Sequence, residues 1–524
     1  MSAVWVAVLA ALAAVALSLG GSLSQDFQIP GTESDRAQAL LIERFGAQAS
    51  GIGSGTGSRT SAEAAQASAR MVVAAPPDQN LLAGGLQTVL IAVAPLAQVP
   101  GVAAVSDPVI TQAIAPDGSV VYLDLQFTTT ADDVSPATVD QVRGVADSLG
   151  NQGFEVAVTG GPFTEPLSLL SGAEAIGVVF ALIVLVITLG SMLAASIPIL
   201  TALAGVGIGA AGVLAVAATV DMSAATLALA LMLGLAVGID YALFLLSRYR
   251  QELSTGIDPL ESAARTVSTA GNAVVLAGAT TIIALVALSL VGIPFLTLMG
   301  LAAAGTVAVA VLIALTMVPA MMGFAGARLT PRGRAARDIE RSVGSGNRWG
   351  SLITRHPLVT VAVATVLLAV VALPVLDLEL GLPDAGGEPK TSASRQAHDM
   401  LADGFGPGFN SPLVVLVDAA EGDLQAAVGV VTQGISELPN VAHIAQPMPN
   451  PQGDAALVVV VPQTASNTRA TSDLVHAIRD LRPGVEQQTG TGMWVTGAAA
   501  ANVDISRMLA DALPQFLLIV VGLA

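Results

Sequence analysis

No cysteine occurs among the 524 residues. That excludes disulfides, thiolate metal sites and a thiol nucleophile together. Histidine is scarce, with four residues scattered along the chain, so a metal site has no evident ligand set. Charge is scarce as well: Asp, Glu, Lys and Arg make up 11% of the chain, and Lys390 is the only lysine. An ordinary globular protein carries about a quarter of its residues charged. Apolar residues take their place at 53%, the composition of a polytopic membrane protein.

The formal charge of −18 is unevenly spread. Residues 22–170 hold five Arg against fifteen acids, whereas residues 326–355 hold seven Arg against Asp338 and Glu340. Basic loops stay in the cytoplasm, which places 326–355 inside and 21–170 outside. Arg328, Arg332, Arg334, Arg337, Arg341, Arg348 and Arg355 read as topology anchors. A nucleic-acid patch would need aromatic stacking partners, which this loop nearly lacks, so no nucleic acid is expected.

Long uncharged runs set the organisation. Residues 1–20 read as an uncleaved first span, since a signal peptide would need a basic n-region and the first basic residue is Arg36. Residues 21–170 form a first extramembrane domain. Residues 171–325 hold five spans, TM2 to TM6, with turns expected near Gly190–Pro198 and at Gly292-Ile293-Pro294. The Arg-rich loop 326–355 leads to TM7 at 356–376, a second extramembrane domain at 377–510, and the start of TM8 at 511–524. The apolar tail Ala512–Ala524 is 13 residues against the roughly 20 needed to cross. On that ground the chain is expected to be a fragment of a protein longer by about four and a half spans.

The two extramembrane domains repeat one another. Ser34…Ala37…Leu41…Phe45-Gly46 returns as Ser394…Ala397…Leu401…Phe405-Gly406, and Val158-Thr159-Gly160 returns as Val495-Thr496-Gly497. Alternating runs such as 120–127 (VVYLDLQF) and 455–462 (AALVVVVP) read as strands. Each domain then has the order β-α-β-β-α-β, the ferredoxin-like split pattern. The Gly/Ser-rich stretch 51–58 is a connector, because no strand–loop–helix signature accompanies it.

One acid interrupts the uncharged runs. In Leu227–Arg250 (LALALMLGLAVGIDYALFLLSRYR), Asp240 lies eight residues before Arg248, roughly 12 Å inside the membrane face. A carboxylate at that depth costs several kcal/mol unless it is protonated, paired or facing water, which makes it a functional residue by default. A neutral acid joining two helices is the plainer alternative, but an Asn would serve that purpose without an ionisation problem. Desolvation moves carboxyl titration towards physiological pH, and a proton-carrying site is the stronger reading. Gly234 and Gly238, spaced GxxxG, allow a close helix approach just before the acid. Tyr241 adds the adjacent hydroxyl, and Phe244 and Ser247 follow on the Asp240 face. Phe244 suits core packing or a pocket wall equally. Thr280 and Thr281 could solvate a relay, though a threonine bonded back to its own helix is the plainer reading. His398 beside Asp399, Glu421 near Asp423, and Glu174 at the start of TM2 form no catalytic constellation, so no enzyme is expected.

With Asp240-Tyr241 in the fourth span of a duplicated one-plus-five unit, the chain resembles the MMPL branch of the RND (resistance-nodulation-division) superfamily. The resemblance covers essentially the whole chain. It rests on IPGTES (29–34) with RFG (44–46), GLAVGIDYALFLLSRYRQEL (234–253), ARTVSTAGNAVVLAGATTIIAL (264–285), GIPFLTLMG (292–300) and LTMVPAMMGFAG (315–326). It implies an α-helical membrane protein with two extracytoplasmic α+β porter domains in a bacterial cytoplasmic membrane, its second half incomplete here. It further implies export of lipids or other hydrophobic compounds driven by the proton-motive force, with protons as coupling ion and no cofactor. Asp240 and Tyr241 occupy the first of the family's two Asp-Tyr pairs. The second belongs to a tenth span, so a complete relay needs TM8 to TM12. Membrane lipids and a hydrophobic substrate are the implied partners, and a homo-oligomer stays open. An intramembrane aspartyl protease would need a second deep acid. A SecD/SecF-like protein-translocation aid shares the architecture and proton coupling but not the motifs of spans four to six. A non-transporting, sterol-sensing-like scaffold is the third alternative.

Overall fold

The computed structural model describes residues 2–19, 31–46, 67–76, 79–163, 172–220, 222–330, 353, 355–374, 384–419 and 422–523. Segment 51–58, Glu421, the side chain of Glu174 and the loop arginines from Arg332 to Arg348 lie outside the described residues. In chain order come an apolar helix α1 (Ser2–Leu19) and an amphipathic helix α2 (Glu33–Phe45). Next are β1 (Ser68–Ala74), α3 (Gly85–Val93), β2 (Val102–Val105), β3 (Val120–Phe127), α4 (Pro136–Gly150) and β4 (Glu155–Gly160). Five apolar helices follow: α5 (Gly172–Leu189), α6 (Met192–Ala217), α7 (Ala224–Ser254), α8 (Pro259–Val286) and α9 (Pro294–Ala325). After α10 (Pro357–Ala372), the second sheet region holds α11 (Ala393–Phe405), β5 (Leu413–Asp418), α12 (Leu424–Ser436), β6 (Val441–Ile444), β7 (Met448–Pro449) and β8 (Ala455–Pro462). It ends with α13 (Arg469–Asp480), α14 (Arg482–Thr489), β9 (Gly492–Thr496) and α15 (Ala498–Leu523).

The chain divides into two compact units. One comprises Met1–Phe27, Leu167–Leu378 and Leu509–Ala524, and contains the apolar helices. Helices α6 to α9 and α15 are each long and apolar enough to cross a membrane, and α1, α5 and α10 are shorter apolar helices. At 31 residues α7 is about 46 Å long, more than the ~30 Å hydrocarbon core. Its surplus carries the Arg248–Glu252 ion pair (2.7 Å), a polar end suited to the interface. The break after Val291 falls where the sequence put it, with Gly292 left-handed (φ +77°) and Pro294 opening α9. The earlier turn is shorter than expected. It occupies Gly190-Ser191, where Gly190 takes φ +61° and the Ser191 hydroxyl accepts from the Ala194 amide. Pro198 instead lies inside α6, so cap chemistry sets that break and the proline does not.

The other unit comprises Gln28–Pro166 and Glu379–Met508. Its sheets run β2-β3-β1-β4 and β6-β8-β5-β9, all neighbouring strands antiparallel, with β7 added beside β8. Strands such as β5 (LVVLVD) and β8 are buried along nearly their whole length, so both faces of a sheet need cover. One face of the first sheet packs on α3 and α4 through Met71, Leu123, Val89 and Val142. Its other face is covered by α11, with Ala397, Met400 and Leu401 against Val72, Val120 and Ala157. Reciprocally, α2 of the first repeat covers the second sheet, with Leu41 and Phe45 against Val414, Leu416 and Leu457. The repeats therefore exchange their leading helices. The repeated glycines share a physical cause: Gly160 and Gly497 take φ +122° and +102°, and a Cβ there would stand 2.6 Å from Ser68 O and 2.5 Å from Pro412 O.

Candidate functional site

Helix α7 runs unbroken past its acid because nearly half of its sequence is Ala and Leu and it has no internal proline, and its first turn is capped by the Ser223 hydroxyl (3.2 Å from the Ala225 amide). Its residues sort into two stripes. Leu227, Ala230, Gly234, Gly238, Tyr241 and Leu245 face inward, whereas Met232, Ala236, Asp240, Phe244, Ser247 and Gln251 are exposed.

Asp240 thus stands on an open face of the bundle. Among the described residues no hydrogen bond or ion pair reaches its carboxylate. Phe244, 47% exposed, shares the open face as the i+4 spacing predicted and is not packed in the core. Tyr241 turns the other way. Consecutive helical residues point about 100° apart, and Tyr241 (8% exposed) is packed in the core with Leu245 and Val318.

The GxxxG pair behaves as its spacing predicted, but with two partners. Gly238 lies against Ala202 of α6, where an added Cβ would meet its Cα and Cβ at 3.1 Å. Gly234 lies against Thr306 of α9, and the same Thr306 methyl fills the space left by Gly209 of α6. One buried methyl group thus sits between two glycines and brings three helices together.

Thr280 and Thr281 bond back to their own helix, to Leu276 O and Ala277 O at 2.9 Å each. Asp240 is 14 residues from the α7 end of the α7–α8 connection, and Thr280 is 21 residues from its α8 end. That difference of seven residues amounts to roughly 10 Å in level.

Sequence reading missed the pair after Arg248. Arg250 is 4% exposed; its Nη1 donates to Leu189 O (2.7 Å) and its Nε to Leu329 O (3.1 Å). Those carbonyls close α5 and the turn after α9, where helix dipoles favour a cation. The Tyr249 hydroxyl donates to Met322 O of α9 at 3.2 Å. Arg250 was detectable by spacing, since it falls four residues after Leu246 and three before Leu253 on the apolar stripe.

Comparison with known proteins places these elements in a family. A model described as the MMPL family matches residues 55–360. The chain is 36% identical to the membrane protein YdfJ of Bacillus subtilis, across 99% of this chain and 69% of that protein. It is 30% identical to the mycolic acid-containing lipids exporter MmpL11 of Mycolicibacterium smegmatis, across 62% of this chain and 35% of the relative. It is 29% identical to the heme uptake protein MmpL11 of Mycobacterium tuberculosis, across 64% of this chain and 34% of the relative.

Proposed function

The chain belongs to the MMPL family of multi-pass membrane proteins, and from that membership we propose that it works as part of a transporter driven by the proton-motive force. The cargo class is lipid or another hydrophobic compound, moved outward across a bacterial cytoplasmic membrane. One relative is named as a lipid exporter and another as a heme uptake protein. The two interlocked β-α-β-β-α-β domains are the ferredoxin-like porter domains, on the extracytoplasmic side.

The observation that carries this reading is Asp240: a carboxylate midway along an apolar helix, with no partner among the described residues. In hydrocarbon such a group is stable when neutral, or when another polar group or water reaches it. An acid that must change either its protonation or its surroundings suits a coupling site. Protonation removes the charge and its desolvation penalty and lets α7 shift against the helix facing it. Tyr241 lies in the core behind Asp240 and carries any shift of α7 into the packed helices.

Asp240→Asn is expected to fold normally and to lose transport by about a hundredfold or more, with Asp240→Glu keeping part of it. Near-normal export by the Asn variant would remove Asp240 from the mechanism.

A further inference from the structure

The first amides of a helix have no partner within it. At the start of α2 the Asp35 amide is served by the Thr32 hydroxyl (3.2 Å) and the Arg36 amide by Thr32 O (3.2 Å). The Ser34 amide is served from far along the chain. It donates to Asp504 Oδ2 at 3.1 Å, and the Ser34 hydroxyl donates to the same oxygen at 2.7 Å. Arg479 holds Asp504 from the other side in a fork, Nη1 to Oδ1 at 2.7 Å and Nη2 to Oδ2 at 3.0 Å. Arg479 Nε stands 3.3 Å from Glu33 Oε2, Arg482 bonds Glu33, and the Thr496 hydroxyl donates to Ser34 O at 3.1 Å. Two carboxylates and two guanidiniums thus balance in charge, and Asp504 and Arg479 keep only 11% and 14% of their side chains exposed.

Asp504 lies on α15, which continues without interruption to Leu523, uncharged after Asp511. We propose that Asp504 is a positioning residue: it fixes the start of this membrane-crossing helix to the N-terminus of α2, so that the two move as one body. Helix α2 in turn lies on β9, and its other end is tied to the second sheet by Arg44, 3.1 Å from both Asp418 and Asp454. A displacement of α15 therefore reaches the second sheet without slack. The repeat-equivalent helix α11 meets the first sheet differently. It uses the Ser394–Thr159 hydroxyl contact (3.2 Å) and apolar side chains, and among the described residues its ion pairs stay on α11 itself, as Arg395–Asp399. Among the described residues, then, a leading helix is tied to the opposite sheet by ion pairs only at the second sheet. This inference stands whether or not Asp240 carries protons.

Amide hydrogen exchange on the full chain in lipid tests it first. The Ser34 amide should be protected to the level of the β5 amides; exchange within about tenfold of an unstructured peptide would overturn the proposal. Spin labels test the mechanical part, and the absence of native cysteine makes Ala39→Cys with Arg507→Cys a clean pair on exposed positions. The unmodified network should give one narrow distance. Asp504→Asn, which keeps the shape and loses the charge, should broaden that distance and speed Ser34 exchange roughly tenfold or more, the loss of one charged hydrogen bond. A folded Asp504→Asn protein with unchanged distance width and exchange would also overturn it. If that variant does not fold, the exchange of the unmodified chain alone decides.

Discussion

At position 234 the methyl group of an alanine would stand 2.5 Å from the Thr306 Cγ2, a separation that real side chains do not hold. Gly234→Ala should therefore lower stability by roughly 1–3 kcal/mol, as overpacking does. Thr306→Ser removes the obstructing methyl, and the double variant should recover most of the loss in a thermal melt. An additive double variant would show that the contact is not what confines residue 234. The glycine pair was legible in the sequence because spacing alone makes it a close-approach face. The outward turn of Asp240 and the inward turn of Tyr241 were not. A chain shows that two residues are adjacent, but which side of the helix is covered depends on α6 and α9, far off in sequence.

Among elements, α7 is fastened to its neighbours by glycines midway and by Arg250 near its end. A buried guanidinium with carbonyl partners loses its desolvation compensation if they go, and the carbonyls lose a donor if it goes. Arg250→Ala should cost roughly 2–5 kcal/mol and lower the midpoint of thermal unfolding by several degrees, whereas Arg248→Ala, at the exposed end, should change it little. Equal effects of the two would contradict the clamp. Helix α11 offers a pH test. Asp399 is partly desolvated, which alone would raise its pKa, but hydrogen bonds from Arg395 and His398 hold it below the usual carboxylate range. A depressed folded pKa stabilises above the unfolded value near 4 and loses that contribution as pH falls through the folded value. Exposure keeps the effect small, so Asp399→Asn should lower stability slightly at neutral pH, where the contribution is present, and flatten the acid limb by the same small amount, leaving the most acidic end of the profile unchanged. A variant with an unaltered acid limb would contradict this.

For the whole molecule, the repeat gave the order of elements and even the paired glycines Gly160 and Gly497, because matching motifs in one dimension demand matching backbone conformations. It did not give the exchange of α2 and α11, since sequence says that a sheet face needs cover but not which helix supplies it. The exchange makes a crossed prediction. Leu401→Ala on α11 should cost about 2–4 kcal/mol and speed amide exchange in β1 and β3, strands of the other repeat. Leu41→Ala on α2 should do the same to β5 and β8. Loosening confined to the mutated repeat's own sheet would contradict the exchange.

The central claim is that Asp240 couples protons to movement of an apolar cargo. It is tested most directly by proton flux into vesicles holding the protein, followed with a trapped pH indicator as lipid cargo is added. The account predicts cargo-dependent flux with aspartate at 240 and none with asparagine, at equal amounts of folded protein. Equal flux from both would contradict it.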